Sequence, residues 1–359
     1  MDDYVSKALK RFEQPSTSKT YTAAPFVAPP YGKKVHMVEQ DTTEPATPDQ
    51  KKWLQQVVGV FLYYARIIDI MSLSAISKLS SAQSNATQKT IQDAKHFLRH
   101  MATWQDTSIT FYESAMILTG DVDASYLSES NARSRAGGLV YCTNKDGTMI
   151  NAPVHYSSTI LPTVVSSAAE AEYGAIFILL KETNPLRTTA IEMGHHQEAT
   201  NFTCDNSAAM AIANETCKQR LSRSLDMRFH YSRDQVRLKN YSITWRSNKF
   251  SLADILTKIH PRKHSIYMRQ FYYDPTNQLR KLLGLHLNNK ARLITEIKLN
   301  NGTKPLKKRK LPSSPETSEA TAKENKDKQQ RCSGKGCVES KKTQPVAPEH
   351  TKRKPVTNG

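Results

Sequence analysis

The 359-residue chain is short of acid: 33 Asp and Glu stand against 51 Lys and Arg, a net charge of +18 with a pI near 9.6. That imbalance predicts a polyanionic partner. Hydrophobic residues make up only 38% of the chain, mean hydropathy is −0.59, and Gly (13) is outnumbered by Pro (17), which excludes a chain that is globular from end to end. Cysteine is scarce and irregular. The five residues Cys142, Cys204, Cys217, Cys332 and Cys337 argue against a disulfide framework and fit a reducing compartment. Four residues separate Cys332 from Cys337 with no second pair nearby, so a structural zinc site has little support. The opening Met1-Asp2-Asp3-Tyr4 has neither the basic nor the apolar segment of a secretory signal. The one long apolar window, Val57 to Ile76, carries Arg66 and Asp69. Each costs roughly 2.5 to 3.5 kcal/mol to bury in a bilayer. A core helix is expected there, and no membrane partner.

Composition divides the chain into five segments. Residues 1–50 read as an extended, Pro-rich arm behind a short amphipathic stretch from Tyr4 to Phe12. Residues 51–104 read as a helical connection: Trp53, Leu54, Val57, Val58, Phe61, Leu62 and Ala65 recur at helical spacing, two further runs follow, and Thr87 is placed to cap the third. From Trp104 the pattern changes to short β-prone runs at Ser108–Tyr112, Met116–Asp123, Gly138–Thr143 and Thr148–His155. A helix over Ser167–Lys181, a strand over Thr200–Cys204, helices over Ser207–Asn214 and around Leu225–Leu238, a strand over Tyr241–Trp245 and a short helix over Leu252–Lys258 follow. Antiparallel strands followed by alternating helix and strand predict a mixed α/β sheet with helices on its faces, and residues 105–260 are long enough to bury one core. Residues 261–300 form a C-terminal extension. Residues 301–359 hold fifteen Lys and Arg against six Asp and Glu and read as a disordered basic tail. Its cluster Lys307-Lys308-Arg309-Lys310, echoed by Lys352-Arg353-Lys354, resembles a nuclear-import signal or a counterion-releasing contact, so a nuclear or cytoplasmic location is expected.

In so basic a chain, isolated carboxylates at strand ends and helix starts are informative. Asp123 ends a strand-like run, Asp205 follows the run Thr200–Cys204, Glu172 shares a helix face with Ala168, Ala169, Ala175, Ile176 and Leu179, and Asp254 interrupts Leu252-Ala253-Asp254-Ile255-Leu256. Singly, each has a plain explanation as a turn acid, a helix cap or a surface charge. An inward carboxylate without a cation is costly. If the four converge, they form a hard-oxygen site suited to Mg²⁺. Two such ions, with Mn²⁺ as the alternative, would activate a water and stabilise the leaving oxygen of a phosphodiester.

Four ordered motifs sharpen this reading. They are Asp123-Ala124-Ser125-Tyr126 with Ser134 and Gly137-Gly138; Ser166-Ser167-Ala168-Ala169-Glu170-Ala171-Glu172-Tyr173; Cys204-Asp205-Asn206-Ser207-Ala208; and Leu252-Ala253-Asp254-Ile255-Leu256-Thr257-Lys258. Together they resemble the ribonuclease H region of copia-type retrotransposon polyproteins. Leu225-Asp226-Met227-Arg228-Phe229-His230 looks like the family's helix between the third and fourth acids, while Tyr4–Phe12 and Leu54–Ala65 look like the end of its reverse transcriptase and the connection. The resemblance covers about residues 1–260. It implies a ribonuclease H-like five-stranded mixed sheet flanked by helices, with Asp123, Glu172, Asp205 and Asp254 as catalytic metal ligands. Glu170 competes for the second role, and Glu172 is preferred because Tyr and a small residue follow it. Tyr126 where the family commonly has Trp, Ala169 where it has Thr, and Ser224 where it has His depart from the pattern without removing a ligand. The family's polymerase motif Tyr-x-Asp-Asp is absent from these 359 residues, so a fragment lacking the polymerase site is expected.

The activity so implied is metal-dependent hydrolysis of the RNA strand of RNA/DNA hybrids. The alternative is a catalytically silent nucleic-acid-binding remnant. Hybrids are read by backbone shape and 2′-hydroxyls, so little sequence specificity is expected. Arg133 and Arg135 are candidate phosphate contacts, Asn206 a candidate ribose contact and His230 a candidate proton shuttle, each beside an ordinary structural reading. Oligomeric state is not legible in the sequence.

Overall fold

The computed structural model describes residues 1, 3–12, 18–28, 41–147, 149–216 and 226–273, with the backbone alone over 226–229. The basic clusters after residue 301, the cysteines at 217, 332 and 337, and much of the Pro-rich arm lie outside the described residues. All the described residues fall within one compact unit.

Four helices come first: α1 (Tyr4–Arg11), α2 (Pro48–Ile67), α3 (Ile70–Ala82) and α4 (Gln88–Thr103). Local chemistry sets their starts. Thr47 and Gln50 form a reciprocal capping box ahead of α2, with Pro48 in its first turn, and Thr87 caps α4 by accepting from the Thr90 N–H. The long apolar window breaks between α2 and α3 at Ile68–Asp69. Asp69 is wholly buried and meets Arg269 Nη1 at 3.3 Å and the Tyr273 hydroxyl at 2.6 Å. No helix among the described residues is long and apolar enough to cross a membrane.

The sheet follows: β1 (Ile117–Glu129), β2 (Arg133–Thr143), β3 (Pro153–Ile160), α5 (Ala168–Glu192), β4 (Thr200–Cys204), α6 (Ser207–Ala213), α7 (Asp226–Arg237) and β5 (Tyr241–Trp245). The order is β3-β2-β1-β4-β5, with β1, β2 and β3 antiparallel and β4 parallel to both β1 and β5. Two short helices, α8 (Asp254–Thr257) and α9 (Arg262–Tyr273), complete the described chain. A five-stranded mixed sheet in this order, with helices on both faces, is the ribonuclease H-like fold.

Strand β2 is buried along almost its whole length because both faces are covered. Its alternating side chains divide between two cores. Ala136, Val140 and Cys142 pack with Ile176, Leu179 and Leu180 of α5, whereas Leu139 and Tyr141 pack with the α2–α4 layer and with Leu252, Ile255 and Leu256 around α8. Cys142 and Cys204 are buried free thiols.

All four β-run expectations change, β2 beginning at Arg133 rather than Gly138. Ser108–Tyr112 forms no strand, and at Tyr112 the backbone groups a strand partner would take are bonded to a side chain: the Asn151 amide accepts from Tyr112 N–H and donates to its carbonyl. The third strand begins at Pro153 rather than Thr148. Strand β1 runs on past Asp123 to Glu129, through an irregular stretch where Leu127 has φ 54° and donates its N–H to Ser134 Oγ.

Candidate active site

The parallel register between β1 and β4 pairs Asp121 with Thr203 and stops there, while β1 continues. Asp123 and Asp205, each two residues beyond that last pair, therefore sit side by side where β4 ends. Glu172 enters from the first turns of α5, whose N-cap is Ser167. One oxygen from each of Asp123, Glu172 and Asp205 lies within 4.8 Å of the others, the group of this kind found among the described residues.

A pair of glycines lets the helices approach. An added Cβ at Gly137, opposite Asp123 in β2, would stand 2.7 Å from Leu256 Cβ and 2.7 Å from Thr257 Cγ2 of α8. At Gly138, facing the other way, it would stand 2.7 Å from Leu179 Cδ1 of α5. Thr257 thereby reaches Asp123 and donates its hydroxyl to Oδ2. Glu172 Oε1 accepts from the Ala124 N–H at 3.0 Å, and the Trp245 indole donates to the Asp205 carbonyl at 2.8 Å.

Burial and crowding set the charge states. Burial raises the Asp123 carboxyl to about 6, with the Asp254 and Asp205 charges adding to the rise and Lys258 and Thr257 opposing it. Burial, then the charges of Asp123 and Asp205, hold Glu172 well above the ordinary carboxylate range. Asp205 is raised too, chiefly by burial. Asp254 goes the other way: burial acts against it, but His260 and Lys258 bring it down to about 2. It stands beside the trio rather than in it. Lys258 Nζ bonds Asp254 Oδ1 and lies 3.4 Å from Asp123 Oδ2, while His260 Nε2 is 3.0 Å from Asp254 Oδ2.

The arrangement fits a hard divalent cation. Among the described residues Asp123 Oδ1 and Glu172 Oε2 are buried with no hydrogen-bond partner, an expensive state that an oxygen-seeking ion would relieve. Glu170 does not compete, since its Oε2 accepts from both the N–H and the hydroxyl of Ser166.

Arg135 is not a surface phosphate contact. It is wholly buried on β2, binding Glu129 at 2.6 Å, Ser77 Oγ at 2.9 Å and Ser158 Oγ at 3.0 Å, because the α2–α4 layer covers that face. Arg133 donates Nε and Nη2 to the Leu161 carbonyl. Asn206 caps α6, its Oδ1 accepting from Ala208 and Ala209 N–H at 3.0 and 3.1 Å, which leaves that oxygen committed. His230 lies at an exposed position on α7.

Three neighbours carried no assigned role in the sequence reading. Lys258 is legible in principle, being four residues from Asp254 and so one helical turn away. His260 and Thr257 have no such signal. Asp121 was also missed: two residues before Asp123 on the same strand face, it is buried against Arg246 Nη1 at 2.5 Å.

The class of fold and the carboxylate trio thus agree. No family model matches the chain. Over 292 residues, 80% of its length, it is 23% identical to the retrovirus-related Pol polyprotein from transposon TNT 1-94 of Nicotiana tabacum, and it spans about a fifth of that relative's length. The resemblance to retrotransposon Pol polyproteins therefore extends over most of the chain. Among solved structures, LC11-RNase H1 from a compost metagenome is 16% identical, with 40% of this chain and 93% of that chain covered at TM-score 0.31. The foamy viral protease-reverse transcriptase is 11% identical, with 69% and 27% covered at TM-score 0.39.

Proposed function

We propose that this chain is a divalent-metal-dependent endonuclease of the ribonuclease H type, hydrolysing the RNA strand of RNA/DNA hybrids. The observation that carries the reading is the convergence of Asp123, Glu172 and Asp205, whose oxygens lie within 4.8 Å of one another, with Asp254 beside them. Oxygen donors alone suit Mg²⁺ or Mn²⁺, and Asp123, Glu172 and Asp205 would hold the ion. A bound divalent cation supplies Lewis acidity, lowering the pKa of a water and stabilising the leaving oxygen of a phosphodiester.

The chain's own groups fix the geometry. Thr257 orients Asp123, the Ala124 N–H orients Glu172, and Trp245 pins the backbone at Asp205. These anchors hold three carboxyl groups together before any substrate arrives, the preorganisation that electrostatic catalysis requires. A net charge of +18 supports association with a nucleic-acid backbone.

The test is cleavage of a labelled RNA/DNA hybrid by the full chain in Mg²⁺ and in chelator, with single-stranded RNA and duplex DNA as controls. Asp205→Asn and Glu172→Gln are expected to lower cleavage by more than about 100-fold, beyond the range for outer-shell groups, while Glu170→Gln keeps it. Salt-dependent hybrid binding without cleavage in either Mg²⁺ or Mn²⁺ would instead establish a silent nucleic-acid-binding remnant.

A further inference from the structure

The cation closest to the carboxylate pocket belongs to the chain. Lys258 follows α8 directly, and its ammonium bridges two acids, bonded to Asp254 Oδ1 and 3.4 Å from Asp123 Oδ2. His260 Nε2 lies 3.0 Å from the other oxygen of Asp254, so a side-chain nitrogen stands close to each Asp254 oxygen. The contrast with the rest of the pocket is sharp. Asp123 Oδ1 and Glu172 Oε2 are buried and have no hydrogen-bond partner among the described residues. The four acids therefore fall into two halves: one made by Asp123, Glu172 and Asp205, with two oxygens left over for an ion, and one around Asp254 already served by the Lys258 ammonium.

We propose that Lys258 is a resident counter-cation that makes the two halves of the pocket unequal. In the absence of nucleic acid, the protein takes a first divalent ion on Asp123, Glu172 and Asp205, and a second only when the Lys258 ammonium leaves Asp254. Two positive charges a few ångströms apart in a partly buried site repel strongly, so the ammonium and a second ion exclude one another. The side chain is able to leave, because it is about one-third exposed (36%) and sits on a flexible four-carbon stem. Lys258 thus acts as a positioning residue, keeping Asp254 oriented and the second half of the pocket closed to ions until a polyanion draws the ammonium away. This rests on the metal-dependent reading above.

Calorimetric titration of the full chain with Mn²⁺, without nucleic acid, tests it. Ions lost in Asp205→Asn are counted as site ions. The wild type is expected to bind one site ion in the range where Lys258→Met binds two, with the second at least tenfold tighter than in the wild type. Lys258→Arg, which keeps the charge, should behave as the wild type, and Lys258→Gln, which keeps a donor to Asp254 without the charge, should behave as Lys258→Met. In chelator Lys258→Gln should melt below the wild type, and Mn²⁺ should raise its melting temperature more. Two site ions of similar affinity in the wild type, or a second-ion affinity within twofold in Lys258→Gln and wild type, overturns the proposal while leaving the nuclease reading intact. No site ion in any variant removes the metal-dependent reading and this proposal with it.

Discussion

Gly137→Ala probes how the fold delivers the fourth acid. The added methyl would lie 2.7 Å from Leu256 Cβ, 2.7 Å from Thr257 Cγ2 and 3.3 Å from the Leu256 carbonyl carbon. Carbon atoms prefer separations of about 3.5 to 4.0 Å. Leu256 Cβ is fixed to the α8 backbone, so no rotamer change relieves the overlap and the helix must retreat by about 1 Å. Overpacking of this kind costs about 1 to 3 kcal/mol, or roughly 2 to 4 °C in melting temperature per kcal/mol for a domain of this size. The larger effect is catalytic. The retreat carries Thr257 from Asp123 and moves Asp254 and Lys258 with it. A misplacement of about 1 Å lowers turnover by about 100-fold. Gly138→Ala is the control, since its methyl meets the Leu179 methyl groups, the far end of a flexible side chain. Single-turnover hybrid cleavage beside thermal melts should show Gly137→Ala losing about 100-fold and Gly138→Ala less than about tenfold. Wild-type cleavage by Gly137→Ala, or equal losses from both, would refute the claim that α8 is placed by this close approach.

Two further predictions concern charge. In chelator, the folded chain holds a proton on Asp123 up to about pH 6, whereas the unfolded chain releases it near the ordinary 3.8. Folding then binds the extra proton in that window, so this group's contribution to stability falls as pH rises from about 3.8 to about 6. The melting temperature of Asp123→Asn should accordingly gain on the wild type between pH 4 and pH 7, and saturating Mg²⁺ should shrink the gain; a pH-independent difference would contradict the assignment. Arg269→Met should cost about 3 to 5 kcal/mol in a denaturant melt by leaving Asp69 buried and unpaired. Adding Asp69→Asn should recover part of that cost, and a single-variant loss below about 1 kcal/mol would show the pair to be dispensable.

Much of this site is legible in the sequence because each acid sits at a boundary that periodicity marks. The run Thr200–Cys204 matches β4 residue for residue, so Asp205 falls where a strand hands over to a helix cap. Glu172 is separable from Glu170 by helix face, and the structure shows the chemical reason: Glu170 is committed to Ser166. What periodicity does not carry is the identity of partners far along the chain. Arg135 reads as a loop cation because hairpin ends are usually exposed, yet Ser77, 58 residues earlier, comes to meet it. Asp69 reads as an obstacle to membrane insertion, and its partner is 200 residues away. Nor does charge pattern reveal which basic residue enters an acidic pocket, since Lys258 is one of 51 Lys and Arg.

The same long-range packing gives the helical layer a part in placing the candidate site. Leu252, Ile255 and Leu256 belong to the core formed by α2, α3 and α4, and the Tyr272 hydroxyl of α9 donates to the Leu252 carbonyl at 2.8 Å. The element that carries Asp254, Thr257 and Lys258 is therefore clamped between Gly137 of the sheet on one side and the helices on the other. Glu172 and Asp205, by contrast, are anchored by the sheet and α5, while Asp123 stands on the sheet and takes a hydroxyl from Thr257. The two halves of the pocket thus answer to different cores. A substitution that loosens the α2–α4 layer should act on the Asp254 half and on the Thr257 contact to Asp123 while leaving Glu172 and Asp205 in place, whereas one in the α5 core should act on Glu172 first.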